Sequence, residues 1–216
     1  MNTILYLGTD PSHFLTTGRI VHCPVIRLIP KEKFDEPLLR AWEDLEKYTH
    51  IIFTSKNAVH FFFEMREKIF QKKITISEKK LLSIGPATSH ALERHGCAFF
   101  LEAVESTQEG IATALRQLDL TGSYIFYPRS SQARPYLSNF LVELGVKYQI
   151  CDLYDTISDL SRSAELSSFV EESDEIIFTS PSTVKAFFEM YGSPPPTKKI
   201  TVIGPVTQEA LQKMGR

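Results

Sequence analysis

The sequence predicts an α/β protein: two flavodoxin-like parallel-sheet lobes joined by a two-stranded linker ladder. Three observations lead there. First, the chain repeats itself. HIIFTSKNAVHFFFE at 50–64 and EIIFTSPSTVKAFFE at 175–189 agree at nine of fifteen positions, and LLSIGPATSHALERHG at 81–96 agrees with ITVIGPVTQEALQKMG at 200–215 at seven of sixteen. Chance would give about one match per window, so the repeat is real. Second, short apolar runs alternate with helical stretches, which argues for parallel sheets covered on both faces. Third, the residues after 157 supply too few strands for their own sheet, and the first strand has no neighbour of its own. Joining the two ends solves both problems. Residues 1–24 and 157–216 then form one discontinuous domain, 36–148 the domain inserted into it, and 25–35 and 149–156 the linkers that cross between them. Two adjacent extended linkers suit a hinge ladder.

The elements are expected in the following order. Ile4–Leu7 is a strand, Ser12–Thr17 a short helix closed by Gly18, and Ile20–His22 a strand. Pro24 and Pro30 bracket an extended linker, because each restricts its own φ and that of the residue before it. Then come helix Leu38–Lys47, strand Ile51–Thr54, helix Asn57–Phe70, strand Leu81–Ile84, helix Thr88–Arg94 and strand Ala98–Leu101. Ser106-Thr-Gln-Glu109 reads as a capping box opening a helix to about Leu118. Strand Tyr124–Tyr127, helix Ala133–Leu144 and strand Lys147–Cys151 complete the inserted domain. Helix Leu160–Glu171, strand Ile176–Thr179, helix Thr183–Met190, strand Ile200–Ile203 and helix Thr207–Met214 follow.

Composition narrows the function. The 216 residues carry 24 basic and 26 acidic side chains, a net charge of −2. That balance argues against nucleic-acid binding through a general basic field. The start, MNTILYLGTDPS, lacks the basic flank and long apolar run of a secretory signal, and no stretch is long enough for a membrane span. Cys23, Cys97 and Cys151 form no CxxC pair and read as core thiols in a reducing compartment. A cytoplasmic monomer is expected. There is no GxGxxG, Walker loop, HExxH or GxSxG, and the six histidines show no metal spacing. Neither metal nor cofactor is expected.

Ligands of open parallel sheets sit beyond the carboxyl ends of the strands. That rule selects Ser55, Lys56 and Asn57; Gly85 and Thr88; Arg129 and Ser130; Ser180, Ser182 and Thr183; and Gly204 and Thr207. Small hydroxyl residues and glycine at helix starts leave backbone N–H groups open to a carboxylate or phosphate, and Lys56 and Arg129 add full charges. Helix capping alone also accounts for a Ser or Thr after a strand. What favours a site is that four similar turns would converge on one crevice. Tyr154, in the second linker between Asp152 and Asp155, is expected at its mouth. A linker tyrosine commonly packs, yet its phenol can also donate a proton to a leaving hydroxyl.

Taken together, IIFTSKNAV, IGPATSHAL, YPRSSQARPYLSNFLVELG, the tyrosine of DLYDT, IIFTSPSTV and IGPVTQEAL resemble uroporphyrinogen-III synthase, from roughly Gly18 to Gly215. Their order and spacing carry the resemblance. It implies two α/β lobes and a cofactor-free cyclisation of the linear tetrapyrrole hydroxymethylbilane. Loss of the terminal hydroxyl gives an azafulvene, attack at the substituted carbon of the last ring gives a spiro intermediate, and rearrangement closes the macrocycle with that ring inverted. Positioning and electrostatic stabilisation would supply the catalysis. By resemblance Tyr154 is the acid, Thr207 belongs to the catalytic Gly-Pro turn, and Ser180, Ser182 and Thr183 form a substrate-binding turn. Two departures stand out. The Arg-Pro that many members carry after the first strand is replaced by LGTDPS, so the anion contact it would make loses its usual residues. The chain also stops just after its last helix, where the family usually continues, so either a smaller terminal lobe or a trimmed chain is expected. Two other readings share the same turns: a non-catalytic two-lobed binding protein for a small polyanion, and a phosphosugar enzyme, which would need an acid/base pair that the sequence does not offer.

Overall fold

The computed structural model describes residues 2–12, 14–32, 36–70, 76 and 78–215. In chain order the elements are β1 (Thr3–Tyr6), β2 (Arg19–His22), β3 (Ile26–Pro30), α1 (Glu36–Glu43), β4 (His50–Phe53), α2 (Lys56–Phe70), β5 (Lys80–Ser83), α3 (Pro86–Arg94) and β6 (Leu101–Glu102). There follow α4 (Gln108–Arg116), β7 (Tyr124–Ser130), α5 (Tyr136–Leu144), β8 (Lys147–Ser158), α6 (Ser163–Glu172), β9 (Glu175–Phe178), α7 (Pro181–Met190), β10 (Lys199–Val202) and α8 (Pro205–Met214). They make an α/β protein with two sheets. The chain divides into two compact units, Met1–Ile29 with Thr156–Arg216, and Pro30–Asp155.

The discontinuous unit holds a four-stranded sheet in the order β10-β9-β1-β2, with every pairing parallel. Counted along the chain this order is 2-1-3-4, so the strand order reverses between β1 and β9. Alternation along the strands sends Leu5, Ile176 and Phe178 into a core with Leu166, Val170, Val184 and Phe187 of α6 and α7. Ile4, Tyr6 and Ile177 point to the other face, where Phe14 and Ile20 cover them.

The six-stranded sheet has the order β3-β8-β7-β4-β5-β6, and its strands β4 to β7 belong to the continuous unit. From β4 onward its parallel strands count 3-2-1-4-5, and the reversal falls between β4 and β7. One face packs Ile52, Leu82, Ile125 and Tyr127 against Ile111, Leu115, Leu137 and Phe140 of α4 and α5. Aromatic side chains fill the other face: Trp42 stacks on Phe62 at 5.0 Å and Tyr48 on Phe126 at 4.7 Å. β3 lies beside β8. The Asp159 N–H donates to the Val25 carbonyl at 2.8 Å and the Lys31 N–H to the Leu153 carbonyl at 2.9 Å, so the two strands run in opposite directions.

Several elements differ from the sequence expectation. Among the described residues of 12–17 there is no helix; His13 lies outside them. The Asp10 carboxylate accepts from the Ser12 N–H and the Thr16 hydroxyl oxygen from the Gly18 N–H, local bonds that compete with a helical ladder. Residues 33–35 of the expected linker and Arg216 of the expected terminal domain also fall outside the described residues. α1 stops at Glu43, where Asp44 and Lys47 close a turn. β6 is only two residues long, because only Leu101 and Glu102 pair with β5. The cap of α4 is Thr107, whose oxygen accepts from the Gly110 N–H, rather than Ser106. α5 begins at Tyr136, after Pro135, not at Ala133. A short 3-10 turn, Leu160–Arg162, precedes α6. Most consequentially, β7 and β8 run on: Arg129, Ser130 and Tyr154 are strand residues, with Ser130 opposite Tyr154 past an irregularity at Arg129/Ser130.

Candidate active site

Each of the turns singled out in the sequence leaves the carboxyl end of a strand and opens a helix, except the one after Tyr127, which is itself strand. In the continuous unit, Ser55 caps α2: its Oγ accepts from the Ala58 N–H at 3.0 Å. The same Oγ shares a hydrogen bond with the Tyr154 phenol at 3.1 Å. Tyr154 is only 4% exposed, and its ring stacks on Phe61 at 4.7 Å. Burial pushes its phenol above the ordinary value of 10.0, against the pull of the Ser55 hydrogen bond. Lys56 and Asn57 occupy the first turn of α2 and are half-buried.

A second phenol meets the same turn from the opposite face of the sheet. Tyr127 is fully buried, and its Oη lies 3.3 Å from Thr54 Oγ1 and 3.4 Å from Gln108 Nε2. Gln108 in turn accepts from the Leu137 N–H at 3.0 Å. Two strands thus bring tyrosines to the adjacent hydroxyls of Thr54 and Ser55. This is the carboxyl end of β4, beside the reversal between β4 and β7 where doubly wound sheets place their ligands.

Arg129 is engaged within its own unit. Its Nε donates to Asp152 at 2.9 Å, its Nη1 to Ser138, and its guanidinium lies 5.6 Å from the Tyr127 ring centre. Ser130 accepts from the Gln132 N–H. Next to them Asp155 is bound by Lys31 and Ser131, which hold its carboxyl below the usual 3.8.

One strand further out, Gly85 and Thr88 begin α3. Both are buried, and the Gly85 carbonyl accepts from the Thr88 N–H at 2.9 Å. Gly85 is extended, and a Cβ there would meet Ser106 Oγ at 2.2 Å. A side chain there would have to turn the Ser106 hydroxyl aside, so this close approach favours glycine at the turn. In the discontinuous unit its repeat partner Gly204 has open space around it but sits at φ 88°, where L side chains are strained. One duplicated Gly-Pro turn keeps its glycine for two different reasons. Thr207, buried at 3%, donates its hydroxyl back to the Ile203 carbonyl at 3.0 Å.

Ser180 caps α7 through a capping box with Thr183, and its Oγ lies 2.9 Å from Ser182 Oγ. The structure thus brings Ser55, Lys56, Asn57 and Tyr154 together, with Arg129 and Ser130 on the adjoining strand end and Gly85 and Thr88 one turn away. Ser180, Ser182 and Thr183 form one turn of the other unit, and Gly204 and Thr207 its neighbour. Sequence reasoning reached Thr54 as the start of the segment Thr54–Asn57 but missed Tyr127 and Gln108. The available signal was a tyrosine inside an otherwise apolar strand, because a buried phenol needs a partner.

Among the described residues no group of three or more His, Cys, Asp or Glu is arranged to hold a metal ion, and no helix is long and apolar enough to cross a membrane. The three cysteines are free and buried.

Residues 16–216 match the family described as Uroporphyrinogen-III synthase HemD. The uroporphyrinogen-III synthase of Chlorobaculum parvum is 26% identical over 198 residues, covering 89% of this chain and 78% of its own. A crystal structure of mutant uroporphyrinogen III synthase from the extremely thermophilic bacterium Thermus thermophilus superposes with a TM-score of 0.66 at 17% identity, over 100% of this chain and 90% of that one. The uroporphyrinogen-III synthetase structure from Helicobacter pylori gives 0.64 at 19% identity over the same shares, 100% and 90%. At such identities the two structures speak for the fold alone. The family match, spanning both copies of the repeat and the strand that carries Tyr154, makes this chain a member of the uroporphyrinogen-III synthase family.

Proposed function

We propose that the chain is a uroporphyrinogen-III synthase: a lyase that removes water from hydroxymethylbilane and closes it, with the terminal ring inverted, to uroporphyrinogen III in tetrapyrrole biosynthesis. The observation that carries the chemistry is the Tyr154 phenol held 3.1 Å from Ser55 Oγ at the carboxyl end of β4, in a chain matched to this family over residues 16–216.

Tyr154 gives its phenolic proton to the departing terminal hydroxyl, and the carbon–oxygen bond breaks to release water. The terminal ring attacks through its substituted carbon, rearranges, and loses a ring proton as the macrocycle closes. That proton restores the phenol, so the net change is one water lost. The low exposure of Tyr154 means that the side chains covering it must move before substrate reaches the oxygen. The first turns of α2 and α3 in one unit, and of α7 and α8 in the other, each offer leading N–H groups that lack intrahelical acceptors by position, a chemistry suited to the acetate and propionate groups of the bilane. Lys56 adds a full charge, Asn57, Thr88, Ser182 and Thr183 line these turns, Gly204 leaves its backbone open to approach, and Gly85 leads into α3 beside Ser106. Thr207, bonded back to Ile203, fixes the Gly204 turn in shape. Arg129, tied to Asp152, orients the β7 end where Ser130 sits.

The test supplies freshly made hydroxymethylbilane and separates the type I and type III isomers. Type I forms without an enzyme, so only an excess of type III counts. Tyr154→Phe is expected to lower turnover by about 10²–10⁴-fold, the usual range for a lost general acid, with an unchanged far-ultraviolet spectrum. Equal turnover in the two proteins would remove Tyr154 from that role. Tight binding of a linear tetrapyrrole with no type III excess would favour a polyanion-binding protein instead.

A further inference from the structure

The repeat allows an internal comparison. Ser55 and Ser180 occupy equivalent positions of the two IIFTS motifs and cap α2 and α7 alike, accepting from the Ala58 and Thr183 N–H groups at 3.0 and 3.3 Å. Their surroundings then diverge. Ser180 Oγ faces another serine hydroxyl, that of Ser182. Ser55 Oγ faces the Tyr154 phenol, which β8 carries to this copy of the turn.

A serine oxygen has one proton and two lone pairs. The Ala58 N–H occupies one lone pair and fixes the oxygen on the helix axis, leaving the hydroxyl proton free to swing to the phenol. A phenol that donates to substrate must turn its own proton outward, and its oxygen then has to accept from behind. Among the described residues, Ser55 is the side-chain hydrogen-bond partner of the Tyr154 phenol. The surroundings make that bond matter. The ring is 4% exposed and flanked by Phe61, so a phenolate formed there gains little from solvent.

We propose that Ser55 is a positioning residue for the Tyr154 phenol: anchored by the Ala58 N–H, it donates its hydroxyl proton to the phenol oxygen, aims the phenolic proton at substrate and holds the phenolate left behind. The assignment rests on Tyr154 acting as the acid, and it gives Ser55 this role in place of a contact with the substrate carboxylates. In the balanced step, the phenolic proton and the leaving hydroxyl become water. The Ser55 proton stays on Ser55 throughout, and the ring proton lost on closure returns to Tyr154.

The test must separate the hydroxyl from the cap. Glycine is an adequate N-cap that costs only a few tenths of a kcal/mol relative to serine, so Ser55→Gly removes the first and largely spares the second. It is expected to lower kcat for the type III product by roughly tenfold or more, as for one hydrogen bond to a charged group, with KM held within about twofold. Ser55→Thr is expected to restore turnover. In a Tyr154→Phe background Ser55→Gly should cost nothing further. A readout independent of catalysis places 3,5-difluorotyrosine at position 154 and follows its ionisation by fluorine NMR. Ser55→Gly should move that titration to higher pH, and Ser55→Thr should move it back. The proposal is overturned if KM rises while kcat holds, if the loss persists without the phenol, or if the fluorophenol titration stays in place. Should the parent protein give no type III excess, the enzymatic reading falls, and the fluorine titration alone decides whether Ser55 stabilises the ionised phenol.

Discussion

His50 and Glu175 open the equivalent strands of the two copies, and both are buried, at 2% and 6% exposure. His50 Nδ1 shares a 2.7 Å bond with Thr49 Oγ1, whereas Nε2 has no hydrogen-bond partner among the described residues. Burial, aided by the Lys80 charge, holds this imidazole below its ordinary 6.5. The unfolded chain therefore takes up a proton near 6.5 that the folded chain accepts only at lower pH, and stability declines as pH falls below that point. Above it both states are neutral and His50 contributes nothing. Burial raises the Glu175 carboxyl, but hydrogen bonds from Thr201 and Lys199, the Lys199 charge and Asn2 more than offset it and leave it below 4.5. Its contribution is present above that value and is lost as pH falls through the folded one. The melting temperature is thus expected to fall in two stages on acidification. His95 is likewise held below 6.5, first by burial and then by the His60 charge, so it shares the first stage. His50→Gln should make that stage shallower, between about pH 7 and about pH 5, and leave the second. A His50→Gln protein with the full slope from about pH 7 to about pH 5 would contradict this origin.

At the scale of elements, α7 shows how a helix start is specified locally. Pro181 sits at its first position, and Ser180 and Thr183 satisfy each other's backbone N–H groups. Ser180→Ala is expected to lower stability by about 1 kcal/mol, measured by urea titration. A change near zero would mean that water caps the helix as well as serine does. The strand–turn–helix units were legible because apolar runs and small capping residues report local physics that both copies obey. Other features were hidden because partners decide them. Pro128 reads as the end of a strand, yet β7 continues to Ser130. The recorded pairing with β4 stops at Phe126, so the ring lies where β8 alone bonds β7. β6 shrinks because only two residues find β5, leaving Phe99 and Phe100 exposed. The site divides along the same line. Tyr154 and the hydroxyl turns could be chosen from the sequence. The Ser55 contact, the Tyr127–Thr54–Gln108 chain and the Arg129–Asp152 pair depend on strand register, which spacing does not encode.

At the scale of the molecule, the two units differ in how far apart in the chain their partners lie. In the discontinuous unit, the Thr3 N–H donates to the Asp174 carboxylate across 171 residues, and β1 pairs with β9 over a similar gap. The continuous unit joins β4 to β7 over 75 residues, as the Thr49–Tyr124 bonds record. Longer closures fold more slowly. In refolding followed by pulsed hydrogen exchange, amides of β4 and β7 should gain protection before those of β1 and β9. Simultaneous protection would show that the long closure does not limit the rate. Synthesis on the ribosome imposes the same order more severely. β1 and β2 emerge early, but β9 follows only after the whole continuous unit has been translated. Until then one edge of the four-residue β1 lies open, and a nascent chain in that condition is a natural client for a chaperone.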